Sequence, residues 1–261
     1  MARITKKDIY NEFGIQYDTK KQKIFSPEFG WISPLLINGN EKLGKGVWTW
    51  SMLPTNRVYS LTINDKDYSV SGTCPCHCDG CYATTGCYCF YSTKQSLLRK
   101  TYLSRFHMDF VKRAILAQLK ADKIRLCRIH AAGDFFSTEY IDMWKTIVSE
   151  SADVVFWTYT KNKEAENSFN ELSNINIVSS IVPGFGFNFG RIDYIIRVYK
   201  ALKEIGKDVY ICRCGIDKNQ HCTNCKGCSV NKYVLFIEHS TSYKAEDDPL
   251  YNDIKTLIEN Q

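Results

Sequence analysis

Along the second half of the chain the apolar positions switch repeatedly between two periods. TKQSLLRKTYLSRFHMDFVKRAILAQLKAD (93–122) repeats every three to four residues, as helices with one buried face do, in two pieces. IRLCRIHAAG (124–133) is a short, nearly continuous apolar run of the kind a strand buried on both faces requires. Helix-period segments at 138–151, 163–172 and 192–206 then alternate with strand-like runs at 153–160, 175–183, 207–214 and 233–239. Such alternation implies right-handed crossovers and a parallel sheet. Roughly six units are too few for a closed eight-stranded, TIM-like barrel and suit an open partial barrel or a doubly wound sheet. YSVSGT (68–73) is expected to be its first strand.

Residues 1–67 lack that alternation and read as an N-terminal extension of loops and short strands. VWTWSML (47–53) and RVYSLTI (57–63) are β-branched and aromatic. GNEKLGKG (39–46) approaches a phosphate-binding loop. The position after Gly-Lys is Gly46 rather than Ser or Thr, and a strand-like VWTW follows where a helix is needed, so a glycine-rich turn is expected. The predicted organisation is therefore an extension at 1–67, an α/β barrel-like domain at 68–240 and a C-terminal tail or helix at 241–261.

The chain has 261 residues, is 44% hydrophobic and carries a net charge of +6. It can bury a sizeable core, and its mild basicity admits a nucleic-acid partner without demanding one. The charged N-terminus has no signal-peptide core, and no apolar run reaches the roughly 18 residues of a membrane helix. A cytoplasmic chain off the membrane is expected. In such a compartment its twelve cysteines point to metal or catalysis rather than to disulfides.

Six of the twelve lie in TCPCHCDGCYATTGCYC (73–89). Cys74, Cys78 and Cys81 have the spacing C-x3-C-x2-C. Three thiolates can hold three irons of a four-iron cluster and leave the fourth open for chemistry, whereas a structural metal site is closed. Zinc held by the same stretch is the alternative. Cys76 and His77 could serve as substitute ligands, and Cys87 and Cys89 could hold a zinc with partners elsewhere or pack as small side chains.

This motif resembles that of the radical SAM enzymes, which carry C-x3-C-x2-C after the first strand of a partial (β/α)6 barrel. The resemblance covers residues 68–240. It implies a [4Fe-4S] cluster on Cys74, Cys78 and Cys81 with S-adenosylmethionine on its open iron. The cofactor would be reductively cleaved to a 5'-deoxyadenosyl radical that takes a hydrogen from a substrate, with a reductant such as flavodoxin or ferredoxin. Two positions depart from the pattern. Gly80 replaces the aromatic before the third cysteine, a packing role Tyr82 could assume, and Ala132-Gly133-Asp134 stands where a Gly-Gly-Glu-like motif meets the cofactor amino group. A closer resemblance is to the phage gene product 88 family, through KLGKGVWTWS (42–51), CDGCYA (78–83), RIHAAGDFFSTEYIDMW (128–144), YTK (159–161) and the C-terminal cysteines. It carries no reaction with it.

CRCGIDKNQHCTNCKGC (212–228) supplies Cys214, Cys222, Cys225 and Cys228, enough to close a second [4Fe-4S] cluster or a zinc site. On an extended strand Cys212 and Cys214 would face opposite ways, so one of the two is expected to serve. Cys127 reads as a core thiol. On RIHAAGDFF (128–136) the spacing puts Arg128, His130 and Asp134 on one face. Asp134, His130 and Lys161 are the candidates for positioning cofactor or substrate, with Tyr82 and Gly133 beside the cofactor. The plainer alternatives are a core histidine and a solvated lysine. Glu238 and His239 end the last strand in a similar way, and PGFGFNFG (183–190) suggests an apolar lid or plug. A stapled nucleic-acid- or partner-binding protein is the rival to an enzyme, and an iron–sulfur protein without S-adenosylmethionine chemistry is the third reading.

Overall fold

The computed structural model describes residues 3–39, 43–76, 78, 81–217, 219–225, 227–238 and 243–261. His77, Gly80 and His239, along with part of the 39–46 turn, lie outside them. Helix α1 (Lys6–Glu12) opens on a capping box, in which the Asp8 N–H donates to Thr5 Oγ1 and the Thr5 N–H donates to the Asp8 carboxylate. An antiparallel sheet follows, of β1 (Tyr17–Asp18), β2 (Lys23–Ser26) and β3 (Gly30–Ile32). β4 (Ile37–Asn38) runs antiparallel to β5 (Val47–Thr49). β6 (Val58–Ile63) and β7 (Lys66–Ser71) form a hairpin closed by Asn64-Asp65, both at positive φ as such a two-residue turn demands.

After two 3-10 turns, Tyr82–Thr84 and Gly86–Cys89, the α/β units begin. They are α2 (Tyr91–Phe106), α3 (Met108–Ala121), β8 (Leu126–Ile129), α4 (Thr138–Ser149), β9 (Val155–Thr160), α5 (Lys163–Ser168) and β10 (Ile175–Ser179). The chain continues through β11 (Ile181–Val182), β12 (Gly186–Phe187), β13 (Phe189–Gly190), α6 (Ile192–Glu204), β14 (Val209–Ile211), α7 (Gly227–Val230), β15 (Tyr233–Ile237) and α8 (Tyr251–Glu259).

The main sheet has the order β10-β9-β8-β5-β4 and is parallel except for β4. A second parallel sheet, β13-β15-β14, abuts it where the Ser179 N–H donates to the Lys232 carbonyl (3.2 Å). Strand faces alternate with period two. Cys127, Ile129 and Phe156 face a core containing Val111 and Ile115 of α3 and Ile141, Trp144 and Ile147 of α4. Val209, Ile211, Leu235 and Ile237 pack on Ile195 and Val198 of α6 and Ile254 and Ile258 of α8. The helices of these cores thus gather on one side. The opposite, inner face bears Val47, Leu126, Trp157, Tyr159, Val178, Tyr210 and Val234, and it packs against Cys212, Cys222 and Cys228. Residues 227–231 lie against this face, held by Asn176, whose Nδ2 donates to the Cys228 and Asn231 carbonyls (both 2.8 Å).

Two elements differ from the sequence expectation. The first parallel strand is β5, not 68–73. In β7, Tyr68 and Val70 are buried while Asp67, Ser69 and Ser71 are exposed, the one-sided pattern of a hairpin. Val47, Thr49 and Trp50 are all buried, as a strand covered on both faces requires. Residue 68 therefore falls inside the hairpin, and β5 from the predicted extension belongs to the sheet. The segment 183–190 forms the turn of the β11–β12 hairpin and strand β13, with Tyr194 Oη donating to the Phe185 and Phe187 carbonyls.

Candidate metal and strand-end site

The first cysteine loop is placed by the continuation of β5. Trp50 and Met52 still pair with the end of β8, the Trp50 N–H donating to the Arg128 carbonyl (3.0 Å) and the Met52 N–H to that of Ala132 (2.9 Å). The β6–β7 hairpin then leaves the sheet and returns. The Thr73 N–H donates to the Leu53 carbonyl and the Cys74 N–H to the Thr55 carbonyl, both at 3.0 Å. Cys74 is thereby fixed at the C-terminal ends of the parallel strands, where loops of α/β folds carry chemistry. Gly72 permits the return, since a Cβ there would lie 2.2 Å from the Pro54 carbonyl oxygen.

Asp134 ties three strand ends together. Its N–H donates to Thr73 Oγ1 (3.0 Å), whose hydroxyl donates to the Leu53 carbonyl (2.9 Å). Its carboxylate accepts from Thr160 Oγ1 (2.6 Å), the Phe135 N–H (2.8 Å) and the Lys161 N–H (2.9 Å). Only 2% exposed, it is raised by burial, against which those three donors act. A carboxylate so committed acts as a clamp and leaves little acceptor capacity for a cofactor amino group. Gly133 has a steric reason of its own: at φ +85° its Cβ would sit 2.6 Å from Thr73 Oγ1. Thr73 and Thr160 were missed in the sequence, where a hydroxyl beside a cysteine motif or at a strand end carries no signal.

Lys161 follows the end of β9, and its ammonium faces the thiols of Cys78, Cys74 and Cys76 as well as Asp134. Burial pulls it down, and those groups outweigh burial and leave it raised. Its Nζ lies 5.7 Å from the Phe187 ring, so the glycine–phenylalanine segment borders this site. Burial pushes the Cys74 thiol up to about 12. Cys76 is raised by burial and by Cys78, whose sulfur is 3.9 Å away. Tyr82 Oη donates to the Ala131 carbonyl and its ring meets Tyr88 edge-on, anchoring the loop to the end of β8. Cys87 and Cys89 are exposed, and Cys89 Sγ donates to the Thr84 carbonyl (3.1 Å).

His130 stands on the other side of the sheet. It has φ +56°, which breaks the strand alternation that put it beside Arg128 and Asp134. Its ring packs against Phe135, Tyr140 and Trp144, and Nε2 lies 3.0 Å from Tyr140 Oη. Tyr140 Oη accepts from Trp50 Nε1 (2.8 Å), so its own proton points to His130 Nε2. Burial, reinforced by Arg128, lowers His130 to about 3 and keeps it neutral. This is the setting of a core histidine.

The second cysteine group lies under the inner face. β14 stops at Ile211, and Cys212 opens a 3-10 turn (Arg213–Gly215). The opposite-face argument therefore does not apply. The Cys214 thiol lies between those of Cys212 and Cys222, and it is pushed up to about 12, with Cys212 the leading cause. Cys225 Sγ is 3.2 Å from Tyr210 Oη, and Cys228 lies beside Tyr159 and is pushed up to about 12 by burial. A cavity of about 440 Å³ borders Cys225 and is lined also by Lys203, Arg213, Asn224 and Tyr210. Arg128 lies on the same strand face as Leu126. Its guanidinium lies over the Tyr159 ring (4.6 Å) and interacts electrostatically with Tyr82, Tyr88, Cys222 and Cys228. Among the described residues no three of His, Cys, Asp or Glu close around a single metal ion.

These observations define the class as an α/β protein with two cysteine groups at the C-terminal ends and inner face of a parallel sheet. The model of the family described as Gene product 88 matches residues 34–230, and the chain belongs to that family. Similar proteins include the Gene 88 protein of Mycobacterium phage D29, 35% identical over 113 residues covering 39% of this chain and 45% of that one. The Gene 88 protein of Mycobacterium phage L5 is 42% identical over 65 residues, covering 25% of this chain and 26% of its own. The chain thus spans less than half the length of these relatives. No solved structure matches it. Among the described residues no helix is long and apolar enough to cross a membrane.

Proposed function

We propose that this chain is an iron–sulfur enzyme of the radical SAM type on a partial-barrel-like α/β fold. A [4Fe-4S] cluster would be held by Cys74, Cys78 and Cys81, and a second metal centre by Cys214, Cys222, Cys225 and Cys228. The observation that carries the reading is the fixing of Cys74 at the C-terminal strand ends, with Lys161 facing the thiols of the same loop. The donor type suits a metal: the half-buried thiols of Cys74, Cys76 and Cys214, all raised, hold their protons until a cation displaces them. The cluster, when bound, would supply the electron that cleaves S-adenosylmethionine. Lys161 would balance thiolate charge or meet a carboxylate, Tyr82 would hold the loop against β8, and Asp134 would act as a positioning residue. An electron donor and a substrate of unknown class are implied.

A second reading has one observation in its favour. Cys76 and Cys78 sulfurs 3.9 Å apart match the edge of a zinc tetrahedron, about 3.8 Å for Zn–S bonds of about 2.3 Å. Zinc there would make the chain a stapled binding protein of the phage, with nucleic acid or a protein as partner.

The test is iron, sulfide and zinc content on protein purified without oxygen, then EPR of the dithionite-reduced sample with and without S-adenosylmethionine. The reading expects iron with sulfide and a spectrum that shifts on adding the cofactor. Iron without a shift leaves an iron–sulfur protein of this fold lacking that chemistry. Zinc without sulfide refutes the enzyme reading.

A further inference from the structure

The cavity of about 440 Å³ beside β14 has a lining of one chemical kind. It lies between Tyr199 and Lys203, neighbours one turn apart on α6, residues of the 213–231 segment and the chain just past α8. Its volume falls within the roughly 300–1,000 Å³ of small-molecule sites. Lys203, Arg213 and the carboxamides of Gln220, Asn224 and Gln261 line it, and no aspartate or glutamate stands among the described lining residues. The walls are fixed by the chain itself. Gln261 Oε1 accepts from the Ile211 N–H of the edge strand β14 (2.7 Å). The Tyr210 ring abuts Gly227, where a Cβ would come within 2.2 Å of Tyr210 Cε1. Asn231 Nδ2 donates to the Gly227 carbonyl (2.9 Å). The two cations are less committed. Arg213 Nε is shielded from solvent without a hydrogen-bond partner, and one terminal nitrogen meets the Ile258 carbonyl only at 3.4 Å. Lys203 is exposed, its Nζ 5.8 Å from the centre of the Tyr199 ring.

Phosphate suits such a pair, because arginine presents a planar fork of donors and lysine a compact charge. Carboxamides match the donor and acceptor edge of a base, and an aromatic ring takes its face. Gln220 spends Nε2 on the His221 carbonyl (3.1 Å) and keeps its own carbonyl oxygen as an acceptor, while Asn224 is exposed. We infer that this cavity binds a mononucleotide, with the phosphate on Lys203 and Arg213 and the base toward Gln220, Asn224 and Tyr210. The inference goes beyond the metal reading and does not depend on it, since none of these groups is a thiol. It adds a ligand class that the cysteine groups do not specify.

The experiment is calorimetric titration of the whole chain, purified without oxygen, with the four ribonucleoside 5'-monophosphates, with the matching nucleosides and with inorganic phosphate. Lys203→Gln and Arg213→Gln are titrated beside Lys200→Gln, which removes the same charge from α6 outside the cavity. At least one monophosphate is expected to bind more tightly than both inorganic phosphate and its own nucleoside. Loss of one charged partner of the phosphate is expected to weaken binding about 10- to 100-fold. K203Q and R213Q are expected to lose affinity on that scale, and K200Q to match the parent. K203Q is the decisive variant, because Lys203 is exposed and its loss leaves the fold intact, which an unchanged thermal midpoint verifies. No binding of any monophosphate overturns the inference. So does inorganic phosphate binding as tightly as the nucleotides, or a loss in K203Q no greater than that in K200Q. Metal content and the EPR response decide the metal reading separately, so either reading can fail alone.

Discussion

Asp134→Ala tests whether the three strand ends are held by one carboxylate. The substitution strips the acceptor from Thr160 Oγ1 and from the Phe135 and Lys161 N–H groups, all around a residue that is 2% exposed. Leaving a buried donor unsatisfied costs about 1–3 kcal/mol. Water entering the vacated space relieves part of that, so about 3–5 kcal/mol in total is expected. This is a large share of the roughly 5–15 kcal/mol that stabilises a typical domain. Asp134→Asn keeps the shape and one acceptor oxygen, and about 1–2 kcal/mol is expected. The assay is urea unfolding of metal-free protein followed by tryptophan fluorescence. A double-mutant cycle with Thr160→Ala isolates the 2.6 Å bond, with an expected coupling of about 1–2 kcal/mol. A D134A cost below about 1 kcal/mol, or additivity with T160A, would refute the clamp. Asp134 would then be free to meet a ligand.

Gly133→Ala forces a side chain into φ +85° and against Thr73 Oγ1, and about 1–3 kcal/mol of destabilisation is expected in the same urea assay. Tyr140→Phe removes the hydroxyl shared by Trp50 Nε1 and His130 Nε2, and about 1–3 kcal/mol is expected by thermal or urea unfolding. His130 is lowered from 6.5 to about 3, so below pH 6.5 the unfolded chain binds a proton that the folded chain refuses. Its contribution to stability therefore falls as pH drops from about 6.5 toward 3, by up to about 1.4 kcal/mol per unit. Asp134, raised, acts with the opposite sign in the acid range. His130→Asn, which tolerates positive φ, is expected to flatten the slope of urea midpoint against pH between 6 and about 4.5, and an unchanged slope would contradict the burial argument.

How much of this was legible in the sequence follows from what each signal depends on. The alternation of periods from residue 93 onward depends on burial of one helix face or both strand faces, and β8, β9, β10, β14 and β15 all fall within runs read from it. The first parallel strand was hidden because VWTW looks like any β-branched run, whereas YSVSGT leads directly into the cysteines. Only pairing shows that a hairpin is inserted between β5 and its cysteine loop. At the site, cysteine spacing is written in the chain, but the partners of Asp134 come from three separate segments. The placement of His130 depends on a single backbone angle that no periodicity encodes.

The two cations of the site make one physical argument. Arg128 on β8 and Lys161 at the end of β9 each face thiols, on the inner face and at the rim respectively. Lys161 has the buried Asp134 close by, and with the thiols that carboxylate leaves it raised against burial. Arg128 has no carboxylate at all among the described residues. Neutral thiols add no charge beside either cation, whereas thiolates bound to a metal would. The sheet thus places two positive groups near the two clusters of cysteines, where the proposed metal-bound thiolates would meet them. Those placements, together with the spacing of the cysteines, are what the metal reading proposed above has to explain.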